Sequence, residues 1–341
     1  MMPARNPFEQ ARFSLRNGGA IAASSRFAPI AHAFLIRHLQ HLENPSLDEL
    51  TERITQFASR PRPYLPDESF GQPYAGTPQQ DVEWCWINPN RVLLKEPGTQ
   101  SFIHDASDRA HYASQPQRGP SPDRVTGIAE FARRIASEHG EERGLHTLLG
   151  IGEDGAISDD GVLRINVDGF ASPLGDIFRI NGNGNHRLAA LAALEVPCVP
   201  AEVEWRRGPF STSPCQIDED CDERIAYRTL LHTFGIASYI DPTNFAENYS
   251  GIVTEDWPFL IDDAHSAAES LTALEALAGE PYTSSIGRLP RHLFTDPAAL
   301  IQAGRNVIQH LSDLESNFGV QPIRSPSAIK RGPIRWFFDR R

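Results

Sequence analysis

The residues with the most chemical potential lie in one short run, Ile180-Asn181-Gly182-Asn183-Gly184-Asn185-His186-Arg187-Leu188-Ala189-Ala190. An apolar segment (Ile177, Phe178, Ile180) leads into a turn of Asn and Gly, and a strongly helix-forming stretch leaves it. Gly182 and Gly184 can adopt positive φ and let backbone approach a ligand closely. A helix beginning with His186 and Arg187 points unpaired N–H groups and the positive end of its dipole back at the turn. The Arg187 guanidinium adds a group that can grip a phosphate through two parallel hydrogen bonds. The pattern predicts phosphate recognition at Gly184–Arg187, with Asn183, Asn185 and His186 as further contacts. The plainer alternative is an ordinary strand-to-helix turn carrying a surface arginine.

The run Gly184-Asn185-His186-Arg187-Leu188-Ala189-Ala190, followed by Val196-Pro197 and the strand-like Val199 to Trp205, resembles the ParB/sulfiredoxin superfamily. Its members carry a Gly-x-x-Arg or Gly-x-His-Arg turn before a helix, then a Val-Pro-Val strand. Upstream, Trp86-Ile87-Asn88-Pro89-Asn90-Arg91-Val92 is similar to the family's opening strand and Ile-x-Pro turn. Val125 to Ile135 is similar to the helix that precedes the Gly-x-His-Arg unit. The resemblance covers about residues 82–205, under half of the chain, and implies an α+β core of ParB/sulfiredoxin type over 81–205.

The motif positions narrow what that implies. Sulfiredoxins use a cysteine inside the turn, where this chain has Asn185, so thiol chemistry does not carry over. Segregation-type ParB proteins set Gly-Glu-Arg-Arg against CTP phosphates and follow it with a helix-turn-helix. Here Asn185-His186 replaces Glu-Arg, and no convincing helix-turn-helix pattern follows residue 223. Free-serine kinases of the same fold carry Asp-Gly-His-His-Arg and a separate glutamate base. The chain keeps Gly184, His186 and Arg187, with Asn183 in place of the acid and Asn185 in place of the first His. An amide at 183 orients His186 weakly and holds Mg²⁺ poorly, so phosphate binding survives the change more easily than phosphoryl transfer.

Under this resemblance the catalytic set is Glu96, His186 and Arg187. Glu96 is the base only by its place after the first strand, and a solvated loop acid is its simpler reading. His186 serves as ligand or acid beside a phosphate, and Arg187 neutralises charge on a transferred phosphoryl group. ATP or another nucleotide, with Mg²⁺, is the implied cofactor, and a small molecule the acceptor. The leading expectation is a nucleotide-phosphate-binding protein, with ATP- or ADP-dependent phosphotransfer as its enzymatic form. A non-catalytic, DNA-associated ParB-like module is the alternative, and a scaffold that has lost its ligand is a third reading.

Totals bound these readings. With 341 residues, two units or one domain with large extensions are expected. A net charge of −12 opposes broad nonspecific DNA binding, which needs a basic face. Residues 321–341 are the exception, with six basic residues against Asp339 and with Trp336, Phe337 and Phe338 between them. The tail is thus about +5 and the remainder near −17. It reads either as a nucleic-acid or partner-binding arm or as a segment docking on its own acidic body. Cys85 and Cys198 sit in apolar strand-like runs as buried thiols, while Cys215 and Cys221 flank an acidic loop without metal spacing. A reduced cytoplasm is the simplest setting. No apolar run is long enough to span a membrane. The first forty residues, with Glu9 as their sole acid, have the composition of an organellar transit peptide, though the superfamily is largely bacterial.

The positioning elements follow from periodicity. Residues 1–60 form a helical N-terminal extension, with Phe27, Ile30, Phe34, Leu35 and Leu39 at helical spacing. A further helix starts near Asn44-Pro45-Ser46, capped either by Ser46 with Glu49 or by Asn44 with Pro45 next, and carries Leu47, Leu50, Ile54 and Phe57 as an apolar stripe. Residues 60–80 read as a connector. Val125, Ile128, Ala132 and Ile135 mark one helix face, while Leu163–Val167 and Ala201–Trp205 alternate with period two. The long stretch from Pro97 to Pro122 is a candidate mobile cover over the turn. Its His104, Asp108 and His111 could be ligands but have no helix or strand to support them, and the later His139 and His146 lack a cysteine or carboxylate partner at metal spacing. Arg206 to Glu223 reads as a linker. A helical C-terminal domain over 223–320 includes a capping box at Ser266–Glu269, a C′ glycine at Gly279 and a helix opened by Asp296-Pro297.

Overall fold

The structure is a computed structural model. It describes residues 6–63, 65, 82–95, 124–138, 165–172, 174–182, 184–206, 210–211, 215–216, 222–239, 249–250, 252–254, 263–283, 285–286 and 288–318. The class is α+β, and the chain divides into two compact units, residues 1–62 with 79–206 and residues 63–78 with 207–341.

In the first unit the elements are α1 (Pro7–Arg16), β1 (Ile21–Ala22), α2 (Ala28–Gln40), α3 (Leu47–Ala58), β2 (Val82–Ile87), β3 (Val92–Leu93), α4 (Arg124–Glu138), β4 (Asn166–Phe170), β5 (Ile177–Ile180), α5 (Asn185–Ala193) and β6 (Val199–Arg206). The strands make one mixed sheet in the order β1-β2-β6-β4-β5-β3. β4 is parallel to β6 and antiparallel to β5, and β3 runs parallel to β5.

Side chains of one sheet face pack under helices, as a sheet's apolar face must be covered. Val167, Phe178, Ile180, Ala201 and Val203 join Leu50 and Ile54 of α3, Ile128, Ala132 and Ile135 of α4, and Leu188 and Leu191 of α5 in a single core. Leu35 and Leu39 of α2 belong to the same core, so the N-terminal helices are part of this unit's interior packing. Ser46 is the cap of α3, accepting from the Glu49 N–H at 3.2 Å, which decides between the two starts the sequence allowed. Asp48 and Glu49 in the first turn complement the helix dipole.

The Asn88-Pro89-Asn90-Arg91 turn ties α1 to the sheet. Asn88 caps it through the Asn90 N–H at 2.9 Å and donates its Nδ2 to the Leu15 carbonyl at 3.3 Å. Arg91 is fully buried and donates to the Leu174 carbonyl. Asp176 accepts from the Ala20 N–H at 3.3 Å. Burial pushes the Asp176 carboxyl up from its ordinary range, and the Ala20 N–H and Arg91 oppose that shift.

The second unit holds α6 (Asp222–Thr233), α7 (Ala264–Ala278) and α8 (Pro297–Phe318), with β7 (Phe210–Ser211), β8 (Cys215–Gln216), β9 (Ser238–Tyr239), β10 (Tyr249–Ser250) and β11 (Ile252–Thr254). The strands pair as a β7-β11-β9 sheet and a β10-β8 ribbon, all antiparallel. The stretch expected to be a linker therefore contains two short strands. Asp263, not Ser266, caps α7, accepting from the Ser266 N–H at 2.7 Å. The spacing Ser266–Glu269 misled because Asp263 lies three residues earlier, at the turn where the chain enters the helix. Gly279 takes the left-handed conformation expected of it, with φ of 71°. Arg291 clamps Glu275 through contacts of 2.6 to 3.0 Å, and Glu275 also accepts from the Tyr282 N–H.

Helices α6 and α8 meet at Gly304, where an added Cβ would lie 2.0 Å from the Ala226 carbonyl oxygen. Gly304→Ala is expected to destabilise by about 1–3 kcal/mol, because backbone atoms cannot rotate aside as a side chain would. That exceeds the roughly 1 kcal/mol by which alanine favours a helix over glycine. A thermal melt of the variant checks it, and an unchanged or raised midpoint contradicts this packing.

Candidate functional site

The predicted turn is where the first unit brings the parallel pair β3 and β5 together with its most buried helix. β3 and β5 are neighbours in parallel register, Val92 with Phe178 and Leu93 with Arg179, so both chains leave the sheet at the same end. In open sheets, ligands bind outside the carboxyl ends of parallel strands. Helix α5 begins here with Gly184 as its N-cap residue, at φ 120°, and among the described residues no side chain caps it. Gly182 does not share the positive φ, so the two glycines that the sequence treats alike have different roles. At Gly184 an added Cβ would come within 2.9 Å of the Ile165 Cα, whereas at Gly182 it would meet only the Asn166 Cβ at 3.6 Å.

The direction of α5 is fixed by burial and by its far end. Leu188 to Ala193 are all buried, and burying a leucine contributes about 1.5–3 kcal/mol. Two last-turn carbonyls, which no helix can satisfy internally, are taken by neighbouring helices. Arg53 of α3 donates to the Ala193 carbonyl at 3.0 Å, and His38 Nε2 of α2 donates to the Leu194 carbonyl at 2.8 Å. A carbonyl can only accept, so the proton sits on Nε2 of His38.

The first turn of α5 carries Asn185, His186 and Arg187, all half-buried. Asn185 Oδ1 accepts from the Lys95 N–H at 3.5 Å, which joins the exit of β3 to the helix start. Burial pulls the Arg187 guanidinium down to about 10, which leaves it charged at neutral pH. Edge strand β3 is sealed from the α3 side. Arg60 donates to the Asn90 and Val92 carbonyls at 2.7 and 2.8 Å and lies 3.9 Å over the Phe57 ring. Arg62 donates to the Leu94 carbonyl. These two arginines occupy carbonyls that an edge strand would otherwise offer to another chain. A shallow cleft lined by Phe57, Arg60, Arg62, Leu93 and Leu94 opens beside them.

The other face of the sheet holds a polar cluster that sequence reasoning did not single out. Register places Asp168 of β4 beside Arg179 of β5 and Glu204 of β6. Asp168 is fully buried, and it accepts from Arg179 at 3.0 Å, from Arg206 Nε at 3.0 Å and from Asn181 Nδ2 at 3.0 Å. Arg206 also pairs with Glu204 at 3.1 Å, and Asn166 donates to Glu202 at 2.9 Å. The signal was present in the alternation Asn166-Val167-Asp168 and Glu202-Val203-Glu204, which marks a polar side opposite the valines.

Among the remaining candidates, Glu96 and Asn183 lie outside the described residues, as do the 97–122 segment with His104, Asp108 and His111, His139 and His146, Cys221 and the basic tail 321–341. Cys85 and Cys198 are free and buried. Burial, and then Glu83 and Asp176, push the Cys85 thiol up to about 12, and burial alone pushes Cys198 up. Neither presents a thiolate at neutral pH, and the thiolate is the nucleophilic form. Among the described residues no cluster of His, Cys, Asp or Glu is arranged to hold a metal ion, and no helix is long and apolar enough to cross a membrane. In comparisons with protein-family models, curated proteins and solved structures, nothing matches this chain.

Proposed function

We propose that this protein binds the phosphate groups of a nucleotide at the turn 181–187. The carrying observation is Gly184 at φ 120° as the N-cap of α5, outside the ends of two parallel strands and with Arg187 on the helix's first turn. First-turn N–H groups, the helix dipole and a guanidinium then act on one anion. The burial of α5 supports this reading, because a helix fixed along its length presents its N-terminus without reorganisation on binding. The ParB/sulfiredoxin resemblance supports a nucleotide as the source of the phosphate, with ATP- or ADP-dependent phosphotransfer to a small molecule as the activity and His186 and Glu96 as its acid and base.

Calorimetry with ATP, ADP, CTP and GTP, with and without Mg²⁺, tests it. Arg187→Ala is expected to weaken nucleotide affinity by about ten- to a hundredfold, the loss that accompanies a charge-assisted hydrogen bond. Equal affinity in the variant removes Arg187 from the site, and no binding by the wild-type chain removes the reading altogether.

A further inference from the structure

We propose that Asn181 is a positioning residue for this turn, held by the buried Asp168 and by Glu204, so that the polar sheet face sets the conformation in which Gly184 and Arg187 meet a phosphate. The inference rests on the phosphate reading above and adds a part of the molecule that the sequence motif does not contain.

Three observations carry it. First, Asn181 is fastened twice. Its backbone N–H donates to the Asn166 carbonyl at 3.1 Å, and its Nδ2 donates to Asp168 Oδ1 at 3.0 Å and to Glu204 Oε2 at 3.4 Å. A side-chain amide nitrogen has two protons, and here two carboxylates lie within its reach. An aspartate at this position would set a third negative charge against the other two, and a serine has one proton to share. Second, Asp168 has no access to water, so its hydrogen bonds must come from protein groups. Its charge is balanced by Arg179 at 3.0 Å and Arg206 at 2.9 Å, and Arg206 reaches across to Glu204 as well. The two acceptors of Asn181 are thereby locked to each other by one guanidinium. Third, Asn181 is three residues from Gly184, and an extended chain covers at most about 3.6 Å per residue. An anchor that close limits where the helix cap can move.

The test combines hydrogen exchange with binding. Peptides covering residues 182–188 are followed in the wild type, in Asn181→Ala, in Asp168→Asn and in the double variant, with α4 (Arg124–Glu138) as the internal reference, and ATP affinity is measured on the same proteins. Asn181→Ala is expected to speed exchange in the turn by about tenfold and to weaken ATP binding by about as much, with α4 unchanged. Because Asn181 and Asp168 act through one hydrogen bond, the double variant is expected to fall within about threefold of the worse single variant. Unchanged exchange in the turn of Asn181→Ala overturns the proposal, and so does an equal rise in α4, which signals general loss of stability. Faster exchange without weaker ATP binding also overturns it. If the wild type binds no ATP, the phosphate reading falls, and the exchange data still decide whether Asn181 holds the turn.

Discussion

Replacing Arg179 and Arg206 together by methionine is expected to destabilise the first unit by about 3–5 kcal/mol, a large part of a domain's total stability of about 5–15 kcal/mol. The reason lies in the burial of Asp168. The carboxylate is fully buried, while the side chains of its two guanidinium partners keep 18% and 20% of their surface in water. Removing the arginines therefore strands a charge with only Asn181 beside it, whereas removing the acid leaves arginines that can still reach solvent. The asymmetry is itself the prediction. Asp168→Asn alone is expected to be milder than the arginine pair, and adding it to that pair is expected to restore part of the lost stability. Urea denaturation followed by circular dichroism measures all four proteins. A double arginine variant within about 1 kcal/mol of the wild type contradicts the assignment of Asp168 as a buried, charge-balanced group.

Gly184→Ala is the second large effect. A non-glycine residue forced into such a conformation costs about 1–3 kcal/mol. The added methyl also lies 2.9 Å from the Ile165 Cα, a backbone atom with no rotamer to change. Overpacking adds about 1–3 kcal/mol more. Relief comes only by moving the start of α5 away from Ile165, so phosphate affinity is expected to fall along with stability. Gly182→Ala is the matched control. Its φ is not positive and its nearest neighbour is at ordinary van der Waals distance, so a change of less than about 1 kcal/mol is expected, as for an unstrained surface substitution. Thermal melts and ATP titrations of the two variants separate them, and equal behaviour contradicts the distinct roles of the two glycines.

Much of the local structure could be read directly along the chain. Leu50, Ile54 and Phe57 recur at the helical period, and α3 buries all three. The alternation through Ala201-Glu202-Val203-Glu204 marks a two-faced strand, and β6 has its valine buried and its glutamates half-exposed. The glycine at the head of the Asn185–Ala193 helix was legible for the same reason, since a tight cap demands a residue without Cβ. These features depend on neighbours within about one or two turns of chain, and residue type alone carries that information.

What tertiary structure decided was which distant residues meet. A helical stripe says that a face is buried and not against what, so the sequence left residues 1–60 as an extension, while Leu35 and Leu39 lie in the same core as α5. His38 and Arg53 look like surface charges until α2 and α3 bring them to the carbonyl end of α5. Arg179 and Arg206 lie 11 and 38 positions beyond Asp168, and only strand register brings each of them to 3.0 Å from its carboxylate. Taken singly, each reads as an ordinary polar residue on a strand. Register follows from how all six strands pair at once, a long-range property that no local window contains. The turn's residue pattern thus lies in eight consecutive residues, Asn181 to Leu188, while the carboxylates that accept from Asn181 come from strands brought together by register.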